Sequence, residues 1–395
     1  MISAYGQLLG LRRARALVAS SLLGRLATGA YVIPLVLLIQ ETTHSFALAG
    51  ASEGANLAAG AISAPARGRA LDRYGSRVVI PRVALIRAGL LAAMWPVAHT
   101  RMVWAIVLLA VMAGAASPQL ATAMRLQWQH LLGREAPRLE QAYAFEASAQ
   151  VAMFVIGPLL AAAGLATIGP GATLAATGVF LIAGALVFGA RALDDRAPGA
   201  GKQRRSVRVL ALPGIQTLVL TALIADCALG MVDITVTAFA KRHGAPSAAG
   251  LLLALFALTS VLISAVLGAR TWRMPARKRL AVLMGAAALL TPLLALGHSI
   301  AAIAGLLVLA GAPSAAQWST TFLALDRVAP RDAAAEALSW LSAANAAGVG
   351  IGYLLAGAIV QGSGTAPAFI TAACLQAIAA TIVLICQRTL AEGES

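Results

Sequence analysis

The sequence predicts an all-α integral membrane protein with twelve transmembrane helices arranged as two pseudo-symmetric bundles of six. The first observation is composition, because the 395-residue chain is 60% hydrophobic and 11% charged, with a mean hydropathy of +0.83. Soluble domains, in contrast, are about 25% charged. The second is the series of twelve apolar segments that a polar stretch divides into six and six. The third is positive charge that alternates between successive loops.

Each apolar segment must be helical, because unpaired backbone amide and carbonyl groups are not tolerated in lipid. A helix needs roughly 20 residues to cross the bilayer. In chain order, the predicted spans are 16–40, 46–66, 78–98, 102–131, 142–165, 170–190, 213–239, 247–268, 280–297, 299–323, 334–360 and 365–386. The first span is too long for the apolar region of a signal peptide, so we expect it to remain as an anchor.

The basic residues indicate the orientation of the chain. Most of the 30 lysine and arginine residues lie on one side if the N-terminus is cytoplasmic, and only Arg101, Lys241 and Arg242 lie on the other. The positive-inside rule therefore predicts a multi-pass protein of a bacterial cytoplasmic (inner) membrane with both termini in the cytoplasm. The net charge of +15 does not indicate nucleic-acid binding, because aromatic residues for base stacking are not interleaved with it.

The two halves of the chain resemble each other. The polar stretch 191–212 is the predicted cytoplasmic linker between an N-terminal bundle, 1–190, and a C-terminal bundle, 213–395. A shift of 200 residues superimposes three positions of the first half, Gly68, Arg73 and Arg77, on identical residues of the second, Gly268, Arg273 and Arg277. Parallel repeats of this kind place a substrate cavity between the two halves near the membrane midplane.

A short charged sequence connects the second and third predicted spans. Residues 68–77 read Gly-Arg-Ala-Leu-Asp-Arg-Tyr-Gly-Ser-Arg. The residues Gly68, Asp72, Arg73, Gly75 and Arg77 fit the pattern Gly-x-x-x-Asp-Arg-x-Gly-x-Arg, which closely resembles the loop signature between helices 2 and 3 of the major facilitator superfamily (MFS) of transporters. Topology, linker and internal repeat extend this resemblance over almost the whole chain. In the second half the acidic position carries Trp272 instead.

The resemblance implies a gating role for this loop. Asp72 would face the start of the eleventh helix when the cytoplasmic side is closed, where the positive end of that helix stabilises a carboxylate. Gly68 would permit close packing, while Arg73 and Arg77 would hold Asp72 or the neighbouring half by charge-assisted hydrogen bonds. The alternative is that the loop only fixes the topology.

Ionisable groups inside membrane spans are functional candidates by default. Asp226 and Asp233 lie seven residues apart in the seventh span, so they share one helix face about 10 Å apart. Arg25, at a similar depth in the first span, is the predicted partner of Asp226. Desolvation favours the protonated, neutral form of the aspartate side chain, whereas a nearby arginine favours its charged form. A cycle that alternately makes and breaks the contact with Arg25 could therefore carry a proton. The alternative is a permanent ion pair that fixes helix packing.

Other polar residues in the spans complete the predicted proton and substrate cavity. Glu53 could join Asp233 at an external proton entry or face water at a helix end. Arg125 and Glu146 are predicted to form a structural or gating ion pair. The remaining candidates are uncharged side chains that could hydrogen-bond a ligand or join helices, namely Gln119, Gln150, Gln317 and Asn345.

These features predict a secondary transporter without enzymatic activity. The three cysteines and five histidines have no metal-binding spacing and no Walker loop is present, so we expect no metal and no cofactor. Gly157-Pro158 resembles part of a helix 5 signature of antiporter members, which favours proton-coupled efflux of small amphipathic molecules such as drugs or secondary metabolites. Proton-driven uptake of a small polar metabolite and a non-pumping sensor or lipid-handling protein are the alternatives. We expect a monomer in the lipid bilayer whose partners are its small-molecule substrate and protons.

Overall fold

A computed structural model of the chain describes residues 12–100, 102–132, 136–193, 209–268, 274–329 and 334–390. Within these ranges there are α-helices, short 3-10 helices and turns, with no β-strand, which confirms the predicted all-α class. The α-helices are, in order, α1 (Arg12–Ala30), α2 (Val32–Thr43), α3 (Phe46–Tyr74), α4 (Ser76–His99), α5 (Val103–Ala115), α6 (Leu120–Leu132), α7 (Ala136–Thr167), α8 (Gly169–Arg191), α9 (Pro213–Arg242), α10 (Ala248–Gly268), α11 (Ala276–Leu290), α12 (Ile300–Gly311), α13 (Ser314–Val328), α14 (Ala334–Ser363) and α15 (Thr365–Ile385).

These helices fit the twelve predicted spans once four spans are recognised as interrupted. The first span consists of α1 and α2, the fourth of α5 and α6, and the tenth of α12 and α13, while the ninth continues from α11 into the 3-10 helix Thr291–Leu296. In the described ranges, nine segments are long and apolar enough to cross a membrane. The spans that fall short are α3, α7 and α10, which carry polar residues or shorter apolar stretches.

The described residues separate into two compact units. Unit 1 falls within Met1–Thr43 and Ala59–Lys202, and unit 2 within His44–Ala58 and Gln203–Ser395. The first part of α3 therefore groups with unit 2, although its remainder groups with unit 1. Most of the predicted linker lies outside the described residues.

Each unit has its own apolar core. Fully buried Leu17, Trp128 and Phe188 lie in the core of unit 1, together with side chains of α4. The core of unit 2 includes Leu280 and Leu341. Since lipid tails are as apolar as leucine, such helices associate mainly through close packing rather than through the hydrophobic effect.

Helices α9 and α14 of unit 2 approach each other closely along a series of small residues. A Cβ atom placed on Gly348 would lie 2.3 Å from the carbonyl oxygen of Leu223, and one on Gly352 would lie 2.1 Å from that of Cys227. No side chain fits at these distances. The absence of a Cβ thus brings the two backbones together, as in small-residue packing of membrane helices.

Candidate proton and substrate site

The two predicted aspartates of unit 2 both hydrogen-bond to helix α14. Asp226 is buried, and its Oδ2 accepts a hydrogen bond of 2.9 Å from Asn345 Nδ2. Further along α9, Oδ2 of the partly buried Asp233 accepts one of 3.2 Å from Tyr353 Oη. Both carboxylates therefore lie on one face of α9, as the spacing of seven residues predicts, and this face meets α14.

The close glycine contacts lie between these two hydrogen bonds. Gly348 and Gly352 lie between Asn345 and Tyr353 on α14, at the points where α14 meets the α9 backbone. Short side chains such as aspartate and asparagine can hydrogen-bond across helices only when the backbones approach closely. Sequence features that appear separate, the aspartates and the glycines, thus form one arrangement. We call its four hydrogen-bonding residues the aspartate ladder: Asp226, Asp233, Asn345 and Tyr353.

The buried arginine of unit 1 has a different partner from the predicted one. Arg25 Nη1 lies 2.7 Å from Glu146 Oε2, and its Nη2 donates to the side-chain oxygen of Gln150. Glu146 and Gln150 are four residues apart on α7 and share one face, so a single guanidinium on α1 reaches both. In the described residues, the ion-pair partner of Arg25 is therefore Glu146 of the same unit and not Asp226, as the sequence had suggested.

The predicted pair of Arg125 and Glu146 is also corrected. Arg125 is exposed on α6. Three residues further along, fully buried Trp128 donates from Nε1 to Glu146 Oε1 at 3.3 Å. Helix α6 therefore presents its indole, rather than its guanidinium, to the buried glutamate.

The other predicted cavity residues lie in separate places. Glu53 is fully buried on the part of α3 that belongs to unit 2, so it does not face water at a helix end. Gln317 is buried in α13 of unit 2. Gln119 is partly buried in unit 1, at the interruption between α5 and α6, where it lines a small cavity with Arg67. Their role in substrate binding stays a prediction.

The gating motif forms the tight turn between α3 and α4. Gly75 has a φ of +77°, a left-handed conformation that favours glycine, and its amide donates to the carbonyl of Leu71. A Cβ on Gly68 would meet no heavy atom of the described residues within 4 Å, so the close packing expected there is not observed. Arg73 and Arg77 are exposed, and the side chain of Asp72 lies outside what the structure describes.

Two further arginines of unit 1 were not singled out from the sequence. Arg87 is buried in α4, where its Nη1 donates to Ala113 O at 2.6 Å and its guanidinium lies 4.7 Å from the ring centroid of Tyr31. Arg67 donates to Ala115 O at 2.7 Å. Both contact the end of α5, where a helix leaves carbonyl groups without internal partners. The position of Arg87 inside a predicted span was a signal that could have identified it.

The interruption of the tenth span is stabilised differently. There the hydroxyl of buried Ser260 accepts a hydrogen bond of 2.7 Å from the amide of Ala315, near the start of α13. Both interruptions contain a proline, Pro118 in unit 1 and Pro313 in unit 2. Arginine thus satisfies carbonyl groups at the unit 1 break, whereas a neutral hydroxyl satisfies an amide at the unit 2 break.

The sequence model described as Major Facilitator Superfamily matches residues 218–393 of the chain. This region contains most of α9 and the whole of α14, and therefore all four residues of the aspartate ladder. No curated protein sequence matches the chain.

Solved transporter structures match the fold over nearly the full length. A mutant form of the nucleoside transporter NupG has a TM-score of 0.77 at 13% identity, covering 94% of this chain and 98% of its own. A bacterial homologue of the iron transporter ferroportin has a TM-score of 0.73 at 15% identity, covering 95% and 98%. A bacterial homologue of the human lysosomal transporter Spinster has a TM-score of 0.66 at 17% identity, covering 95% and 97%. Over almost its whole length, the chain therefore has the fold of these solved transporters, and over residues 218–393 its sequence is similar to that of the major facilitator superfamily.

Proposed function

We propose that the protein is a proton-coupled antiporter that exports small amphipathic molecules, such as drugs or secondary metabolites, across a bacterial inner membrane. The observation that carries this proposal is the aspartate ladder. Asp226 and Asp233 are held on α9 by the amide of Asn345 and the hydroxyl of Tyr353. In the described part of the chain, neither carboxylate forms an ion pair with an arginine or lysine.

Neutral partners permit a change of protonation. A charged aspartate accepts from Asn345 or Tyr353, and a protonated one can instead donate to the amide oxygen or phenolic oxygen of the same partner. Both protonation states therefore keep a hydrogen bond to the same neutral partner. A carboxylate paired with an arginine lacks this freedom, because its protonation would leave a buried cation unpaired at a high free-energy cost.

The arrangement in unit 1 supports a fixed role for Arg25. Its guanidinium is shared by Glu146 and Gln150, and Glu146 also accepts from Trp128. A group with so many partners is suited to fix α1, α6 and α7 in place. We therefore assign proton exchange to Asp226 and Asp233, and a structural role to the pair Arg25 and Glu146.

Export is supported by the resemblance of the loop at 68–77 to facilitator gating motifs and by Gly157-Pro158. In the structure, a Cβ on Gly157 would lie 2.4 Å from the backbone of Gly29, so α7 crosses α1 closely at this point. Uptake of a small polar metabolite is the second candidate. It is supported by the buried amide of Gln317, which suits a hydrogen-bonding solute, and by NupG, a nucleoside transporter that shares the fold.

Transport into proteoliposomes with an imposed pH gradient tests these functions. We use ethidium, a permanent cation that does not distribute with pH on its own, and uridine as the polar solute. Antiport of amphipathic molecules predicts ethidium accumulation in vesicles with an acidic lumen, and uptake predicts uridine accumulation when the outside is acidic. Protein-free vesicles are the control. Gradient-independent movement of both solutes, or no movement of either, would contradict proton-coupled transport of these classes.

A further inference from the structure

An open cavity of about 330 Å³ lies at one end of unit 1, apart from the aspartate ladder. It forms where α2 and α4 end and α8 begins, and its polar lining groups include Glu41, Thr42 and His99. Its volume falls within the roughly 300–1,000 Å³ range of small-ligand sites. In the topology predicted from the basic residues, this end of unit 1 is the outer membrane–water interface.

The cavity offers opposite electrostatic environments on its two sides. Glu41 is an exposed carboxylate at the end of α2, which favours an ammonium group. Helix α8 begins on the other side at Gly169, which has a φ of +77°, and is followed by Pro170. The first amides of a helix have no internal carbonyl partners and lie at its positive end, so they favour an anion. In α8 these amides belong to Gly169 and Gly171, because Pro170 has no N–H.

An indole and an apolar side chain line the same cavity. A Cβ on Gly171 would lie 2.2 Å from the Trp95 ring, so the start of α8 lies directly against the indole. Trp95 nevertheless remains 43% exposed, and Ile168 is 54% exposed. Tryptophan is enriched at the headgroup level of membranes, where one part of the ring contacts acyl chains and the N–H contacts polar groups.

We propose that this cavity binds the headgroup of phosphatidylethanolamine. The primary ammonium donates to the Glu41 carboxylate, the phosphate accepts from the first amides of α8 and from His99, and the acyl chains cover Trp95 and Ile168. A phosphorylated primary amine is the chemistry that matches a carboxylate opposite a helix N-terminus. A choline headgroup has no N–H to donate, and a glycerol headgroup has no cation for Glu41.

Thermal unfolding and native mass spectrometry of the purified full-length chain in detergent test the proposal. Dioleoyl phosphatidylethanolamine is compared with its choline and glycerol counterparts, and with soluble phosphoethanolamine. The ethanolamine lipid is expected to bind tightest and to raise the unfolding midpoint most. Glu41→Gln is expected to weaken its binding about tenfold and to abolish the preference over the choline lipid, because one charge-assisted hydrogen bond is lost.

Asp326→Asn, which changes an exposed carboxylate of α13 in unit 2, is the matched control and should keep the preference. Equal binding of ethanolamine and choline lipids would overturn the proposal, as would an unchanged preference in Glu41→Gln. Equal binding of soluble phosphoethanolamine would overturn the assignment to a lipid. Because the aspartate ladder takes no part, these results stand apart from those of proton coupling.

Discussion

Buried charged side chains have different kinds of partner in the two units of the protein. In unit 1, Arg25 is paired with Glu146, and Arg87 is satisfied by a backbone carbonyl and an aromatic ring. In unit 2, Asp226 and Asp233 accept hydrogen bonds from uncharged side chains. An ion pair holds both partners in their charged forms, whereas a neutral donor is compatible with either form of a carboxylate. On the proposed function, the ion-paired charges of unit 1 are structural and the aspartates of unit 2 exchange protons.

The largest expected effect is on stability, at the ion pair of unit 1. Glu146→Gln leaves the buried guanidinium of Arg25 without a counter-charge, at an expected cost of about 3–5 kcal/mol in unfolding free energy. The midpoint of thermal unfolding in detergent should fall accordingly. The double variant Arg25→Met/Glu146→Leu should recover much of this loss. An unchanged midpoint in Glu146→Gln would show that unit 1 is not held by this pair.

The second-largest expected effect is on the close contact between α9 and α14. Gly352→Ala places a Cβ 2.1 Å from the carbonyl oxygen of Cys227, so the helices must separate, at a cost of about 1–3 kcal/mol. The hydrogen bonds of the aspartate ladder should lengthen and transport should fall. Gly305→Ala, in α12 of the same unit, is the matched control, because its Cβ meets no described atom within 4 Å. Equal unfolding midpoints for the two variants would mean that the close approach is not needed.

Asp226→Asn and Asp233→Asn are expected to change stability little. Asparagine can still accept from Asn345 or Tyr353, and interhelical hydrogen bonds in membranes contribute about 0.6 kcal/mol on average. Their unfolding midpoints should lie near that of the unaltered protein, in contrast to Glu146→Gln. A loss as large as that of Glu146→Gln would mean that the aspartates are also structural charges.

Among the changes to the aspartate ladder, Tyr353→Phe is expected to have the smallest effect on transport. This change removes one hydrogen bond of 3.2 Å to Asp233 and keeps the ring, so the stability loss should be about 0.6 kcal/mol. Proton-driven transport should decrease but persist, because the carboxylate itself remains. Complete loss of transport with normal folding would show that Tyr353 is itself required for coupling.

Periodicity and composition were sufficient to predict the all-α fold and the shared face of Asp226 and Asp233. A hydrophobic segment of membrane length must be helical. In any α-helix, two residues that are seven positions apart lie on the same face. The interruption of the fourth and tenth spans was not predicted, although Pro118 and Pro313 were visible there. Proline in a membrane helix is often tolerated, so it does not by itself indicate a break.

The partners of the charged residues could not be predicted in the same way. Glu146 was assigned to Arg125 because both lie near the same ends of neighbouring helices, but the rotation of α6 turns Trp128 to Glu146 instead. The hydrogen bond from Tyr353 to Asp233 was not predicted either, because the sequence does not show which face of α14 meets α9. Which face of one helix meets another depends on the packing between the helices. Glycines in the sequence indicate that a helix can approach a neighbour closely, but they do not indicate which helix that neighbour is.

The most direct test of the account is the dependence of transport on the pH gradient in proteoliposomes. The ratio of initial ethidium uptake with and without an acidic lumen is measured for the unaltered protein, Asp226→Asn, Asp233→Asn and the exposed control Asp326→Asn. We predict a ratio well above one for the unaltered protein and the control, and a ratio near one for at least one ladder variant that folds normally. An unchanged ratio in both ladder variants would contradict the assignment of proton exchange to unit 2.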